Sequence, residues 1–199
     1  TKPMTIDQIR DVLKTHWGYD GFLPLQQEAM QCVLDDRDSV VVLPTGGGKS
    51  LCFQAPAVVR PGVGLVVSPL ISLMKDQVDT LRAQNHPADM LGSALTVDEK
   101  RETIRRVRAG TTRLLYISPE QLNNETSRAL IQSQEIALLT VDEARCISEW
   151  GHDFRRAYLS VKDVRDGVLG SSQPSSRQQS ATPSLEPFGC AWREYCQRS

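Results

Sequence analysis

The hydrophobic positions of this chain fall into two kinds of segment. Short aliphatic runs occur at Ser39–Leu43, Val63–Val67, Leu114–Ile117 and Ile136–Val141. Near-continuous apolar runs of this length predict strands buried on both faces. Between them lie longer stretches whose apolar residues recur three or four apart, the spacing that gives a helix one buried face. Ile6, Ile9, Val12 and Leu13 share such a face behind Thr5, a residue suited to cap a helix start. A Gly-Tyr-Asp-Gly turn at 18–21 leads to a second helix from about Leu25 to Leu34. Further helices are predicted from near Ser50, from Leu70 to about Gln84, from Val97 to about Ala109 and from Glu120. Strands alternating with helices predict an α/β domain with a mostly parallel sheet and helices on both faces. This pattern spans 1–169. From about Gly170 Ser, Gln and Pro make up about half of the chain and periodicity ends, which predicts a disordered tail over 170–199.

Composition narrows the class only a little. With 199 residues, 40% of them hydrophobic, the chain is long enough for one domain with a real core and a tail. No apolar run approaches the ~20 residues that cross a bilayer, and the start lacks a signal-peptide pattern. The expectation is a cytoplasmic protein with no membrane partner, associated with the nucleoid in a bacterium or placed in the nucleus of a eukaryote. A net charge of −1 predicts no global attraction to nucleic acid, so any basic face must be local. The run Lys100, Arg101, Arg105, Arg106 and Arg108 reads as the solvated face of a helix. Cys32, Cys52, Cys146, Cys190 and Cys196 form no CxxC pair and fit free thiols in a reducing compartment.

The chemistry concentrates at three places. Thr45-Gly46-Gly47-Gly48-Lys49-Ser50 follows the first aliphatic run and precedes a helix start. A Gly-rich turn in that position is a phosphate cradle: backbone N–H groups converge on the anion, the helix dipole favours it, and no Cβ blocks close approach. Lys49 would reach the β/γ-phosphates and Ser50 would offer its hydroxyl to Mg²⁺. The pattern is a variant, because Leu43 stands where the eight-residue form has glycine.

The run Ile136–Val141 ends in Asp142-Glu143. Two carboxylates at the C-terminal end of a buried parallel strand stand where ligands bind in open α/β sheets. Beside a phosphate loop, Asp142 would help hold Mg²⁺ and Glu143 would orient and deprotonate water. Two further strand ends share a design, Ser68-Pro69 and Ser118-Pro119. Each reads either as a helix cap, with Gln121 completing a capping box behind Ser118, or as a helix start whose free N–H groups grip a nucleic-acid phosphate. Finally, Trp150, His152, Phe154 and Arg155 interleave aromatics with charge in a Gly-containing loop. That composition suits stacking on bases and contact with phosphates, and equally a capping loop packed on the core.

Together these segments resemble the first motor domain of a RecQ-family DNA helicase. The resemblance runs from about Gly18 to Arg155. Its most specific pieces are LPTGGGKSLCFQ at 43–54, VVSPLISLMKDQV at 66–78, LLYISPEQL at 114–122 and VDEARCISEWGHDF at 141–154. It implies a RecA-like P-loop fold, ATP and Mg²⁺ as cofactors, single-stranded or forked DNA as partner, and translocation on single-stranded DNA with 3′→5′ unwinding, in repair and recombination. It assigns adenine to Gln26, phosphates to Thr45, Gly46, Gly47, Gly48, Lys49 and Ser50, and hydrolysis to Lys49, Asp142 and Glu143. Ser68, Pro69, Ser118 and Pro119 resemble DNA-contacting motifs, and Trp150, His152, Phe154 and Arg155 the aromatic loop that couples DNA to ATP turnover.

Two departures stand inside the match. Leu23 replaces the family's usual arginine, and Arg145 replaces the histidine of Asp-Glu-Ala-His, which is not a conservative exchange. The motifs of a second motor domain are not found downstream. Since arginines from that domain can be worth ~10³–10⁵ in rate, the expectation is a truncated helicase chain that binds Mg·ATP but does not unwind alone unless a partner chain completes it. The alternatives are a stand-alone nucleotide- or DNA-binding module, or an inactive gene remnant.

Overall fold

The computed structural model describes residues 5–44 and 46–144. Thr45 and everything from Arg145 onward, including Trp150, His152, Phe154, Arg155 and the expected tail, lie outside the described residues. Strands β1 (Val63–Val67), β2 (Ala88–Leu91), β3 (Leu114–Ile117) and β4 (Ile136–Val141) form one sheet in the order β2-β3-β1-β4. Every neighbouring pair is parallel. Parallel neighbours need a crossover, and α4 (Ile71–Ala83), α5 (Val97–Arg108) and α6 (Glu125–Gln132) supply the three. Helices α1 (Ile6–Val12), α2 (Gln26–Leu34) and α3 (Leu51–Val59) precede the sheet in the chain.

Alternate strand residues face opposite layers, and both layers are apolar. Val63, Leu65, Val67, Leu91, Leu115 and Ile117 pack with Val107 of α5 and with Leu130 and Ile131 of α6. Val66, Ala88, Met90, Leu114 and Tyr116 pack with Phe53 of α3 and with Met74, Val78 and Leu81 of α4. Ile9, Leu13, Met30 and Ala55 hold α1 and α2 to α3. The expected parallel α/β architecture is therefore the one observed.

Four local expectations need correction. Ser39–Leu43 takes no regular secondary structure and joins no ladder among the described residues, and Val40 and Val42 are exposed. An apolar run becomes a strand only when a neighbour takes its backbone hydrogen bonds, and among the described residues β4 pairs with β1 alone. Strand β2 was not expected, because Asp89 interrupts its short apolar run. The helix expected from Glu120 is instead a 3₁₀ turn over Pro119–Asn123, after which Asn124 caps α6 by accepting from Ser127 N–H at 3.2 Å. At Ser68-Pro69 the cap is displaced: α4 starts at Ile71 behind Leu70, and among the described residues the buried Ser68 hydroxyl has no partner.

In the basic run on α5, Arg101 pairs with Asp98 and Arg105 with Glu102 on an exposed face, whereas Arg106 is half-buried and turns inward to Asp89. Cys32 and Cys52 are free thiols, and burial pushes Cys52 up to about 11. At the N-terminus, Thr5 N–H donates to Gln8 Oε1 at 2.9 Å, and Gly18, at φ 72°, closes the first helical segment where the glycine turn predicts.

Asp89 explains why a charged residue can occupy an edge strand's inner face. Its Oδ1 accepts from Arg82 of α4 at 2.6 Å and from Arg106 of α5 at 2.6 and 2.9 Å. Its Oδ2 accepts from the buried Thr112 hydroxyl at 2.6 Å. One carboxylate thus ties two helices and the approach to β3 to the sheet edge. Removing it leaves the Thr112 hydroxyl unpartnered and the Arg82 guanidinium without its anion, while Arg106 keeps Glu102 at 3.1 Å. Asp89→Ala should lower unfolding free energy by about 2–3 kcal/mol, read as a lower urea midpoint. A midpoint equal to that of the unaltered chain would show that the network contributes nothing.

Candidate functional site

Parallel strands all end at one edge of the sheet, and the ladder continues one residue past each end. Asp142 N–H donates to Val67 O at 2.8 Å, Ser68 N–H to Ile117 O at 3.0 Å, and Ser118 N–H to Leu91 O at 3.1 Å. Because β3, β1 and β4 are neighbours, Ser118, Ser68 and Asp142 stand in a row, with neighbouring strands about 4.8 Å apart. Ser68, Pro69, Ser118 and Pro119 are all buried. The Ser118 hydroxyl donates to Glu120 Oε1 at 2.7 Å, so the capping box expected with Gln121 does not form.

The glycine loop arrives beside Asp142 and Glu143. Gly46 and Gly48 have φ of 80° and 70°, left-handed values that favour glycine. Gly47 N–H donates back to Pro44 O at 2.9 Å. Among the described residues, the N–H groups of Gly48, Lys49 and Ser50 meet no acceptor, and they lead directly into α3. The Ser50 side chain makes no capping bond. Successive free amides at a helix N-terminus form an anion nest.

Gln26 braces this loop from outside. Its Oε1 accepts from Leu23 N–H at 2.8 Å, and its Nε2 donates to Gly48 O at 3.1 Å. Leu25, at φ 67°, turns the chain so that α2 opens on that glutamine. Gln26 is 2% exposed, so both ends of its amide are committed within the chain.

Lys49 Nζ lies 3.7 Å from Glu143 Oε1, which joins the loop to the end of β4. Glu143 reaches this position through a left-handed backbone, φ 50°, rare for a residue with a side chain. Asp142 Oδ1 accepts Glu143 N–H at 2.9 Å. Burial raises the Asp142 carboxyl above the ordinary carboxylate range; the Glu143 N–H bond opposes the rise, the Glu143 charge adds to it, and Gln77 and Lys49 oppose it. A cation placed there would reverse that shift. A groove of about 340 Å³ lies alongside, lined by Trp17, Tyr19, Ser50, Gln54 and Gln77 among others. Another hollow, about 390 Å³, lies against Arg82, Asp89 and Arg106 at the opposite end of the strands.

The DEAD/DEAH box helicase family profile matches residues 23–187. The chain belongs to the DEAD/DEAH box helicase family. Within it the resemblance to RecQ proteins holds at high identity. The chain is 45% identical over 154 residues to the ATP-dependent DNA helicase RecQ of Haemophilus influenzae, covering 77% of this chain and 25% of that one. Against the RecQ helicase of Synechocystis it is 44% identical over 162 residues, 80% of this chain and 34% of the relative. It is also 48% identical over 159 residues to the mouse bifunctional 3′-5′ exonuclease/ATP-dependent helicase WRN, 78% of this chain and 11% of that protein. The matched part therefore spans between 11% and 34% of the length of these relatives.

In this DEAD/DEAH box domain the structure brings together Gln26, Gly46–Ser50, Asp142 and Glu143. It sets Ser68 and Ser118 along the same edge. It also adds residues that sequence reading missed: Gln54, Gln77 and Tyr116, which are hydrogen-bonded to one another beside Asp142. The signal was present in the polar groups within apolar segments, Gln54 in LCFQAPAVV and Tyr116 in LLYI, since buried polar atoms need partners.

Gly48 gives a test of the loop's geometry. A Cβ there would overlap Gln26 Nε2, whereas among the described residues one at Gly46 meets nothing within 4 Å. Gly46→Ala should cost about 1 kcal/mol of stability from backbone strain alone. Gly48→Ala should cost about 1–2 kcal/mol more, because the Gln26 bond is also lost. Equal denaturation midpoints for the two variants would contradict the bracing role of Gln26.

Proposed function

We propose that this chain binds Mg·ATP at the Gly46–Ser50 loop and hydrolyses it as the first motor domain of a RecQ-type DNA helicase. The observation that carries the reading is the 3.7 Å approach of Lys49 Nζ to Glu143 Oε1. It puts a cation on the nucleotide side of the loop within reach of the carboxylate suited to act on water. The free amides of Gly48, Lys49 and Ser50, with Thr45, Gly46 and Gly47, hold the phosphates, and Lys49 balances their charge. The uncapped Ser50 hydroxyl and the half-buried Asp142 carboxyl would hold Mg²⁺, whose charge, when bound, would draw electron density from the phosphate oxygens. Glu143 orients a water in line with the γ-phosphate and takes its proton as the new O–P bond forms and the bond to the β-phosphate oxygen breaks.

Gln26, which the family resemblance assigns to adenine, keeps one Nε2 hydrogen and one Oε1 lone pair beyond its bonds to Gly48 O and Leu23 N–H, and these would meet the base. Single-stranded DNA crosses the sheet edge at Ser68-Pro69 and Ser118-Pro119, held by the N–H groups of Leu70 and Glu120 just beyond them, since the serine amides are spent on the ladder and proline has none. Trp150, His152, Phe154 and Arg155 lie outside the described residues; in this reading their loop links DNA to turnover. Translocation is 3′→5′, on single-stranded or forked DNA, wherever the cell keeps its DNA. Among the described residues no helix is long and apolar enough to cross a membrane. Arginines that complete the cleft come from a second motor domain, in a partner chain if this chain acts as given, so the isolated chain binds Mg·ATP and DNA without separating strands.

The test is steady-state ATPase activity of the purified chain with and without single-stranded DNA. Lys49→Ala serves as the control for contaminating enzymes. The reading predicts slow turnover that rises with DNA and is abolished in Lys49→Ala. Nucleotide binding with no turnover above that variant would mark a binding module instead, and absence of both would overturn the site.

A further inference from the structure

Tyr116 is fully buried at the centre of β3, between α3 and α4. A phenol placed there must find partners for its hydroxyl, and the ones it has run in a single direction. Gln54 Nε2, on α3, donates to the Tyr116 oxygen at 2.9 Å. The Tyr116 hydroxyl donates to Gln77 Oε1, on α4, at 2.8 Å. Gln77 Nε2 donates to Asp142 Oδ2 at 3.4 Å. Gln54 also reaches Gln77 Oε1 directly, at 3.3 Å. Each donor polarises the next, and the series ends on the carboxylate.

The positions of these residues give the series a role beyond holding two helices together. Gln54 lies one turn after Ser50, so α3 carries both the start of the series and one proposed metal ligand. Asp142, at its end, is the other. Tyr116 stands two residues before Ser118, and Gln77 lies on the helix that follows Ser68-Pro69. The Asp142 carboxylate has one oxygen on Glu143 N–H and the other on Gln77. Gln77 therefore fixes the rotation of the carboxylate, and Tyr116 fixes the amide of Gln77. Burial raises the Tyr116 hydroxyl well above its ordinary value, which keeps it a donor at any working pH.

We propose that Gln77 is a positioning residue for Asp142, and that the buried Tyr116 hydroxyl is the pivot that holds it. The proposal rests on the Mg·ATP reading of the site. Outer-shell partners of ligating carboxylates affect metal affinity about 10–100-fold. A half-buried glutamine that merely packed α4 on the sheet would not act selectively on the metal.

The experiment measures the affinity of the full chain for a fluorescent ATP analogue, with Mg²⁺ and with EDTA. The ratio of the two dissociation constants reports how strongly metal and nucleotide bind together. Gln77→Leu should reduce that ratio about tenfold while leaving the metal-free affinity unchanged. Tyr116→Phe, which removes one oxygen from an otherwise intact ring, should move the ratio in the same direction by a smaller factor. Asp142→Ala marks full loss. If both variants keep the unaltered ratio while Asp142→Ala loses it, the positioning role is overturned and the nucleotide reading stands. If the unaltered chain shows no Mg²⁺-dependent binding, both fall.

Discussion

The parallel pairing of β1 with β3 on one side and β4 on the other is the constraint on which the functional edge depends. In a parallel sheet every strand runs the same way, so every C-terminal end reaches the same rim. Three residues of different chemistry, Ser118, Ser68 and Asp142, are consequently aligned by backbone bonds from each to the neighbouring strand. None of their side chains is needed for that alignment. The apolar character of both layers keeps the ladder dry, and β1, buried along its whole length, is its centre.

Against this rigid rim the glycine loop is held from two directions. Gln26 grips Gly48 O from the outer layer, and Lys49 reaches Glu143 from within. The loop itself can then be made of residues without side chains and still keep one shape. Polar groups beneath the rim follow the same logic. Tyr116, Gln54 and Gln77 replace apolar packing with directed bonds where a carboxylate must be oriented, and Asp89 does so at the far end where two helices must be tied to an edge strand. Buried polar networks of this kind specify geometry when every member is satisfied.

The fold was legible where the apolar pattern was long or unbroken. The runs that became β1, β3 and β4 and the helical spacing of α4 and α5 gave elements within a residue or two of those observed. The failures have separate physical causes. Ser39–Leu43 has the composition of a strand, but composition cannot supply a hydrogen-bonded neighbour. β2 was hidden by Asp89, because a charge in an apolar run looks like a surface until its two arginines and threonine are seen. Ser68-Pro69 has the residues of a helix start, yet α4 begins later, since the local preference of proline gave way to the continuing ladder bond from Ser68 to Ile117. At the site, the loop and the paired carboxylates were legible because their spacing is chemical. The Gln54–Tyr116–Gln77 series was not, because its members are far apart in sequence and only the fold brings them together.

The central claim is that the glycine loop and the end of β4 form one nucleotide site. Hydrogen exchange on the intact chain, with and without Mg²⁺ and a non-hydrolysable ATP analogue, tests it most directly. The account predicts that amides in 46–54 and in 140–144 slow together when the analogue is added, and that neither responds in Lys49→Ala. Protection of one segment without the other, or protection centred on Arg82, Asp89 and Arg106 instead, would contradict it.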